Sequence, residues 1–178
     1  MTTNTPTETS ATVTGERADL LAALRQHRYL FTVPAQGLTD EQAASTPTAS
    51  ELCIGGLVKH VAQTEAQWAA FMQGDSRAVG SGDDPSAWEE HANSFRMLEG
   101  ETLDGILARY REVAAATDAL VETIDLDSST ELPPAPWFEP GARWTARMVV
   151  LHVIAETSQH AGHTDILRES IDGQKTMG

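Results

Sequence analysis

The chain has 178 residues, 40% of them hydrophobic, enough for one globular domain that buries a core without disulfide or metal staples. Its 26 acidic side chains against 12 basic ones give a net charge of −14. Such a surface repels nucleic acid and anionic lipid, which argues against DNA, RNA and membrane partners and leaves an anionic ligand only a local positive centre to bind to. One cysteine, Cys53, excludes an internal disulfide and fits a reducing, cytoplasmic setting. Cys53 itself reads as a small apolar residue at a helix start.

The Thr-rich stretch 1–15 lacks the basic and apolar regions of a signal peptide and reads as a disordered tail. A single domain follows over 16–178. The first helix is expected from Glu16 to Phe31, with Leu20, Leu21, Leu24, Arg28 and Phe31 at helical spacing. Pro34 and Gly37 break the pattern, and Thr39 followed by Asp40, Glu41 and Gln42 marks a short capped helix. A second long helix spans about Glu51 to Met72 with the stripe Ile54, Leu57, Val61, Thr64, Trp68 and Phe71, and His60 lies at the edge of that stripe. After a Gly/Ser/Asp-rich loop, a third helical region covers about Ser86 to Ile124, broken or bent near Gly100. A Pro-rich loop carries Trp137, Phe138 and Trp144 and leads into a last helix from about Thr145 to just before Gly173, a suitable C-terminal glycine. No strand pattern stands out. Four long amphipathic helices imply an all-α four-helix bundle.

The last helix contains "HVIAETSQHAGHTDILRE". At about 100° per residue, His152, Glu156, His160 and His163 fall on the same third of the circumference as Val149, Val153 and Leu167. A carboxylate on an apolar face needs a partner. Arg28 is one candidate. A divalent metal is the other, with Glu156 and His160 supplying two ligands at i and i+4 and His60 a third from the second helix. Spacing alone leaves both open. Asp165 falls on the opposite side, and Gly162 reads as a site of close helix packing. His27 and His91 show no partner, and Arg143 and Arg147 fit either an anion site or an ordinary helix end.

The motifs "GGLVKHVAQTEAQW" and "RWTARMVVLHVIAETSQHAGHTDILRESIDG" resemble the DinB-like superfamily of metal-binding four-helix bundles, in its mycothiol-dependent S-transferase and maleylpyruvate isomerase branch. The resemblance runs from about Glu16 to Gly173. It implies a DinB-like bundle with metal ligands at His60, Glu156 and His160, where many members carry three histidines. It also implies a divalent ion, zinc first and otherwise nickel, manganese or iron, with mycothiol or a similar thiol as co-substrate. Two neutral imidazoles and one carboxylate leave such an ion a net charge near +1 and open positions, and a thiol bound there loses its proton. The expected activity is S-transfer to an electrophile or isomerisation, by a monomer or homodimer. A metal-binding stress or detoxification protein without turnover is the alternative, and a bundle with a purely structural polar stripe is a third. His163 is the candidate catalytic residue, as proton carrier or ligand-orienting group, and His152 reads as structural. A cavity bordered by the 131–144 loop is expected beside the ligands, large enough for a thiol.

Overall fold

The structure is a computed structural model that describes residues 13–80 and 85–176, apart from the side chains of 85–87. The expected disordered tail therefore lies mostly outside the described residues. Its last part does not hang free, because Val13 is half-buried against the core.

Four helices form the bundle: α1 (Glu16–Thr32), α3 (Ile54–Met72), α5 (Leu103–Thr123) and α6 (Ala146–Asp172). The short α2 (Asp40–Ala44) and the peripheral α4 (Pro85–Ser94) complete the helical part. Around the bundle α1 packs on α6, α6 on α3, α3 on α5 and α5 back on α1. Local chemistry sets the helix ends. Thr39 and Gln42 form a reciprocal capping box on α2. Thr102 and Thr145 cap α5 and α6 by accepting from Gly105 N and Met148 N at 3.2 and 3.1 Å. Gly173, at φ 80°, closes α6 with its N–H on Glu169 O.

The third helical region is broken into two separate helices, one of the two forms expected, because Gly100 turns through φ 84° and Thr102 starts α5 afresh. Two expectations need correction. The Pro-rich loop is tied at its base by two short antiparallel strands, β1 (Ser129–Glu131) and β2 (Arg143–Thr145), with Thr130 opposite Trp144. Three residues per strand leave no alternation for a sequence reading to detect. Gly162 is exposed, and a Cβ there would meet nothing within 4 Å, so it is not a packing glycine.

The packing glycines lie on α3. A Cβ on Gly56 would fall 1.9 Å from Phe95 O, and one on Gly55 would fall 2.3 Å from the Met97 sulfur. The absence of side chains there lets the segment after α4 lie directly on the start of α3. Cys53 is buried at the N-cap of α3, where its sulfur accepts from Gly56 N at 3.3 Å.

Two apolar clusters fill the bundle, one around Leu24, Phe71, Val121 and Val149 and the other around Phe31, Leu57, Val61, Ile106 and Leu167. Buried polar residues occupy the turns between them: Arg28 on α1, Glu65 on α3, Thr117 on α5 and Thr157 on α6. Arg28 donates to both carboxylate oxygens of Glu65, at 2.5 and 3.2 Å, and to Asp118 at 2.6 Å. Asp118 also accepts from Arg25 at 2.8 Å. Burial works against the Arg28 charge, but Glu65 and Asp118 outweigh it and hold its pKa above the usual arginine value. Arg28 thus has its own carboxylates and does not serve Glu156.

Two stability measurements follow from these contacts. Gly56→Ala is expected to lower unfolding free energy by about 1–3 kcal/mol through overpacking. Gly162→Ala should raise it by about 0.5–1 kcal/mol, the ordinary helical gain. Urea titration of the two variants distinguishes them by sign. Glu65→Leu should cost about 3–5 kcal/mol by removing two of the hydrogen bonds of a buried guanidinium and leaving it Asp118 alone, and adding Arg28→Met should recover most of that loss. A double variant as unstable as the single one would contradict this account.

Candidate metal site

The site is built across α3 and α6, with α4 behind it. On α6 the buried side chains Ala146, Val149, Val150, Val153, Thr157, His160, Thr164, Leu167 and Arg168 centre about 70° around the helix from Glu156. Glu156 therefore stands at the edge of the buried face, and His163 and His152 stand further out. His160 is buried, whereas the other three are half-buried. The shared face expected from the sequence exists, but rotated so that its polar edge meets solvent.

His60, Glu156 and His160 converge, each offering a ligand atom within 4.8 Å of the others. One Glu156 oxygen, Oε1, lies 3.4 Å from His60 Nε2 and 3.2 Å from His160 Nε2. These separations are long for strong hydrogen bonds. They are close to the roughly 3.3–3.6 Å edge of a tetrahedron whose ligands stand about 2.0–2.2 Å from a central ion. The Glu156 carboxyl is held far below the ordinary carboxylate range by its contacts with His160 and His60, against the effect of burial.

Neighbouring groups orient both imidazoles. Ser94 donates its hydroxyl to His91 O at 2.6 Å, so its oxygen accepts from His60 Nδ1–H at 3.0 Å. This places a proton on Nδ1 and leaves Nε2 as the nitrogen that faces Glu156. Phe95 stacks on the His60 ring with centroids 3.9 Å apart. His163 Nδ1 lies 3.2 Å from His160 Nδ1. With Nε2 of His160 facing Glu156, one proton shared between the two Nδ1 atoms joins His160 to His163. A carboxylate oxygen beside two imidazole Nε2 atoms is a donor set that fits a divalent cation once those nitrogens are deprotonated.

A cavity of about 440 Å³ opens onto the three side chains. Gln63, Thr64, Gln67 and Trp68 of α3 form one wall, and Trp88, Glu90 and His91 of α4 another. Trp137 reaches the rim from the Pro-rich loop. The expected border from that loop thus reduces to Trp137, because Phe138 and Trp144 pack on the apolar core instead. His163 lies behind His160 and does not line the cavity.

The remaining sequence candidates are accounted for. His152 lines the cavity with its ring against Trp68 and Trp144, at 4.8 and 5.1 Å, and burial pushes its pKa down. Asp165 accepts from Thr176 N at 2.8 Å. Arg147 pairs with Glu16 and Asp127, and Arg143 bonds Ser129, so both fasten the chain and neither faces the cavity. His91, read from the sequence as an ordinary residue, belongs to the site: its ring meets His60 edge-on at 5.6 Å. Burial first, and then the charge of His60, push its pKa down. Ser94, His91 and Phe95 were missed because they reach His60 only through tertiary packing, which the Gly55–Gly56 notch permits. The adjacent glycines in "GGLVKH" were the one available signal.

A family model described as mycothiol-S-transferase matches residues 19–173. The chain belongs to the mycothiol-S-transferase family. A solved structure of a conserved protein from Enterococcus faecalis matches with a TM-score of 0.65 at 16% identity, covering 91% of this chain and 100% of that one. That likeness shows the fold alone, an all-α helical bundle. No curated protein matches the chain. Among the described residues no helix is long and apolar enough to cross a membrane.

Removing the Ser94 hydroxyl tests the second layer of this site. Ser94→Ala should weaken zinc binding about 10–100-fold, with little change in helical signal. Zinc competition titration reads the affinity, and an unchanged constant would show that Ser94 does not orient His60.

Proposed function

We propose that this mycothiol-S-transferase family member is a cytoplasmic, metal-dependent enzyme that joins a mycothiol-like thiol to an electrophile, with His60, Glu156 and His160 as the metal ligands. The observation that carries the reading is one buried-edge carboxylate oxygen 3.2 and 3.4 Å from two imidazole Nε2 atoms, at the floor of an open cavity.

A divalent ion held there, zinc in the first instance, would stabilise a thiolate at neutral pH as a Lewis acid. Glu156 supplies the negative charge that offsets the cation. Ser94 keeps the His60 Nδ1 proton away from the ligand side. His163 shares a proton with His160 and acts as a positioning residue that fixes the His160 ring. The aromatic walls formed by Trp68 and Phe95 keep bulk water from the floor. The chain's lone thiol, Cys53, is buried at the α3 N-cap and is not among the cavity-lining residues, so the nucleophilic sulfur comes from the co-substrate.

Glu156→Gln tests the ligand set. The variant should lose about tenfold or more in metal affinity while keeping its helical circular dichroism. Full metal content in the purified variant would remove Glu156 from the site. In cobalt-loaded native protein, a thiol should produce intense sulfur-to-cobalt absorption. Thiol binding without that absorption would overturn direct coordination.

A further inference from the structure

We infer that the trough between α3 and α5 is a second compartment of the site, which holds the polyhydroxylated body of the thiol co-substrate while its sulfur lies at His60, Glu156 and His160. This rests on the S-transferase reading and adds to it the place where the thiol is recognised.

The first observation is continuity. A cavity of about 560 Å³ lies beside the metal-site cavity of about 440 Å³, and Gln63, Gln67 and Glu90 line both. The sequence of α3 sets the path between them. At about 100° per residue, turning away from His60 meets Gln67, then Gln63, Lys59, Ala66 and Ala62. The arc from His60 to Ala66 is about a third of a turn, roughly 10 Å along the surface of a helix about 10–12 Å wide. Two reactants have to meet at the metal site, and a cavity of about 440 Å³ is of a size that holds one small ligand. The trough gives the body of the larger reactant a place outside it.

The second observation is the chemistry of the walls. Small residues, Ala62 and Ala66 of α3 and Gly105 of α5, line the trough and leave space where the two helices pack. The alanines and Ile106 make an apolar strip, flanked by two cations, Lys59 and Arg109, two carboxylates, Glu90 and Glu101, and the amides of Gln63 and Gln67. The charges balance, so the walls select neither an anion nor a cation. Donors and acceptors together suit hydroxyl groups, each of which does both. Capacity is left over. Glu101 Oε2 accepts from Lys59 Nζ at 2.7 Å and from Leu98 N at 2.6 Å, and among the described residues no donor meets Oε1. Arg109 donates to the exposed Glu112 at 3.3 Å, a pair that solvent screens and a ligand can replace.

Mycothiol is N-acetylcysteine joined through an amide to an amino sugar and a cyclitol. It is uncharged, and its two rings present hydroxyls at their edges and C–H groups on their faces. The faces match the apolar strip, and the edges reach the walls, where a carboxylate can take two adjacent hydroxyls and a guanidinium can offer paired N–H groups. The metal-site cavity offers such rings carboxylates and aromatic surface but, among the described residues, no lysine or arginine.

A matched pair of thiols tests the inference on cobalt-loaded protein, where sulfur-to-metal absorption reads binding directly. Mycothiol and N-acetylcysteine amide present the same uncharged cysteinyl group, and only mycothiol carries the rings. Titration of native protein should give mycothiol a dissociation constant at least about tenfold lower. Arg109→Ala, an exposed position that leaves the core untouched, should reduce that ratio about three- to tenfold. Ala66→Leu fills the floor of the trough and should bring the ratio near one. Equal affinity for the two thiols in native protein, or an unchanged ratio in both variants, overturns the inference. So does a raised KM for the electrophile in these variants with the thiol ratio unchanged, because the trough then holds the other reactant. If neither thiol produces absorption, the S-transferase reading fails and this inference falls with it. Absorption from both thiols with equal constants confines the failure to the trough.

Discussion

The bundle is organised by a charge that has no water around it. Arg28 is almost fully buried between two apolar clusters, and it can be there only because Glu65 and Asp118 meet it from α3 and α5. Three helices are thereby fixed in axial register. A slip of one turn in any of them would leave a guanidinium or a carboxylate unpaired in an apolar layer. Apolar contacts supply most of the stability but tolerate such slips, because leucine and valine pack against one another in many registers. The ion pair removes that freedom.

Register is what the site needs. His60 lies five residues before Glu65 on α3, and Glu156 immediately precedes the buried Thr157 on α6. The network fixes α3, and packing of α6 against α1 and α3 brings the Glu156 carboxylate level with the His60 ring. The bundle then places Glu156 at the rim of its helix's buried face, not at the centre. A central position would enclose the carboxylate and exclude any co-substrate. An outer one would give the imidazoles to water. At the rim, one oxygen can face two imidazoles while a cavity of about 440 Å³ remains open above them.

The peripheral α4 turns this edge into a pocket. Gly55 and Gly56 let the segment after α4 press against α3, which sets Phe95 on His60 and Ser94 behind it. The same segment supplies His91 and the outer wall with Trp88. On the other side β1 and β2 anchor the Pro-rich loop directly before α6, which holds Trp144 on Trp68 and leaves Trp137 at the rim. Rigid helices thus provide the candidate ligands, and connecting segments provide the surroundings that decide what enters.

The helical class and the four long elements were legible because each depends on periodicity within one helix, whereas the grouping of His60 with Glu156 and His160 came only from the resemblance carried by two long motifs. Thr39, Thr102, Thr145 and Gly173 act within their own turns, so helix ends follow from nearest neighbours alone. Contacts between distant segments left no such trace. The pairing of Arg28 with Glu65 depends on which faces of α1 and α3 meet, and the sequence offered Glu156 as an equal partner. The edge position of Glu156 depends on where neighbouring helices press on α6, a rotation of about 70° that the hydrophobic pattern of one helix did not resolve. Ser94, His91 and Phe95 belong to the site only because two glycines admit a separate segment. Local hydrogen bonding and helical period are written along the chain, whereas the orientation of an imidazole, the mouth of a cavity and the partner of a buried charge are relations between chain segments. Tertiary packing alone decided those.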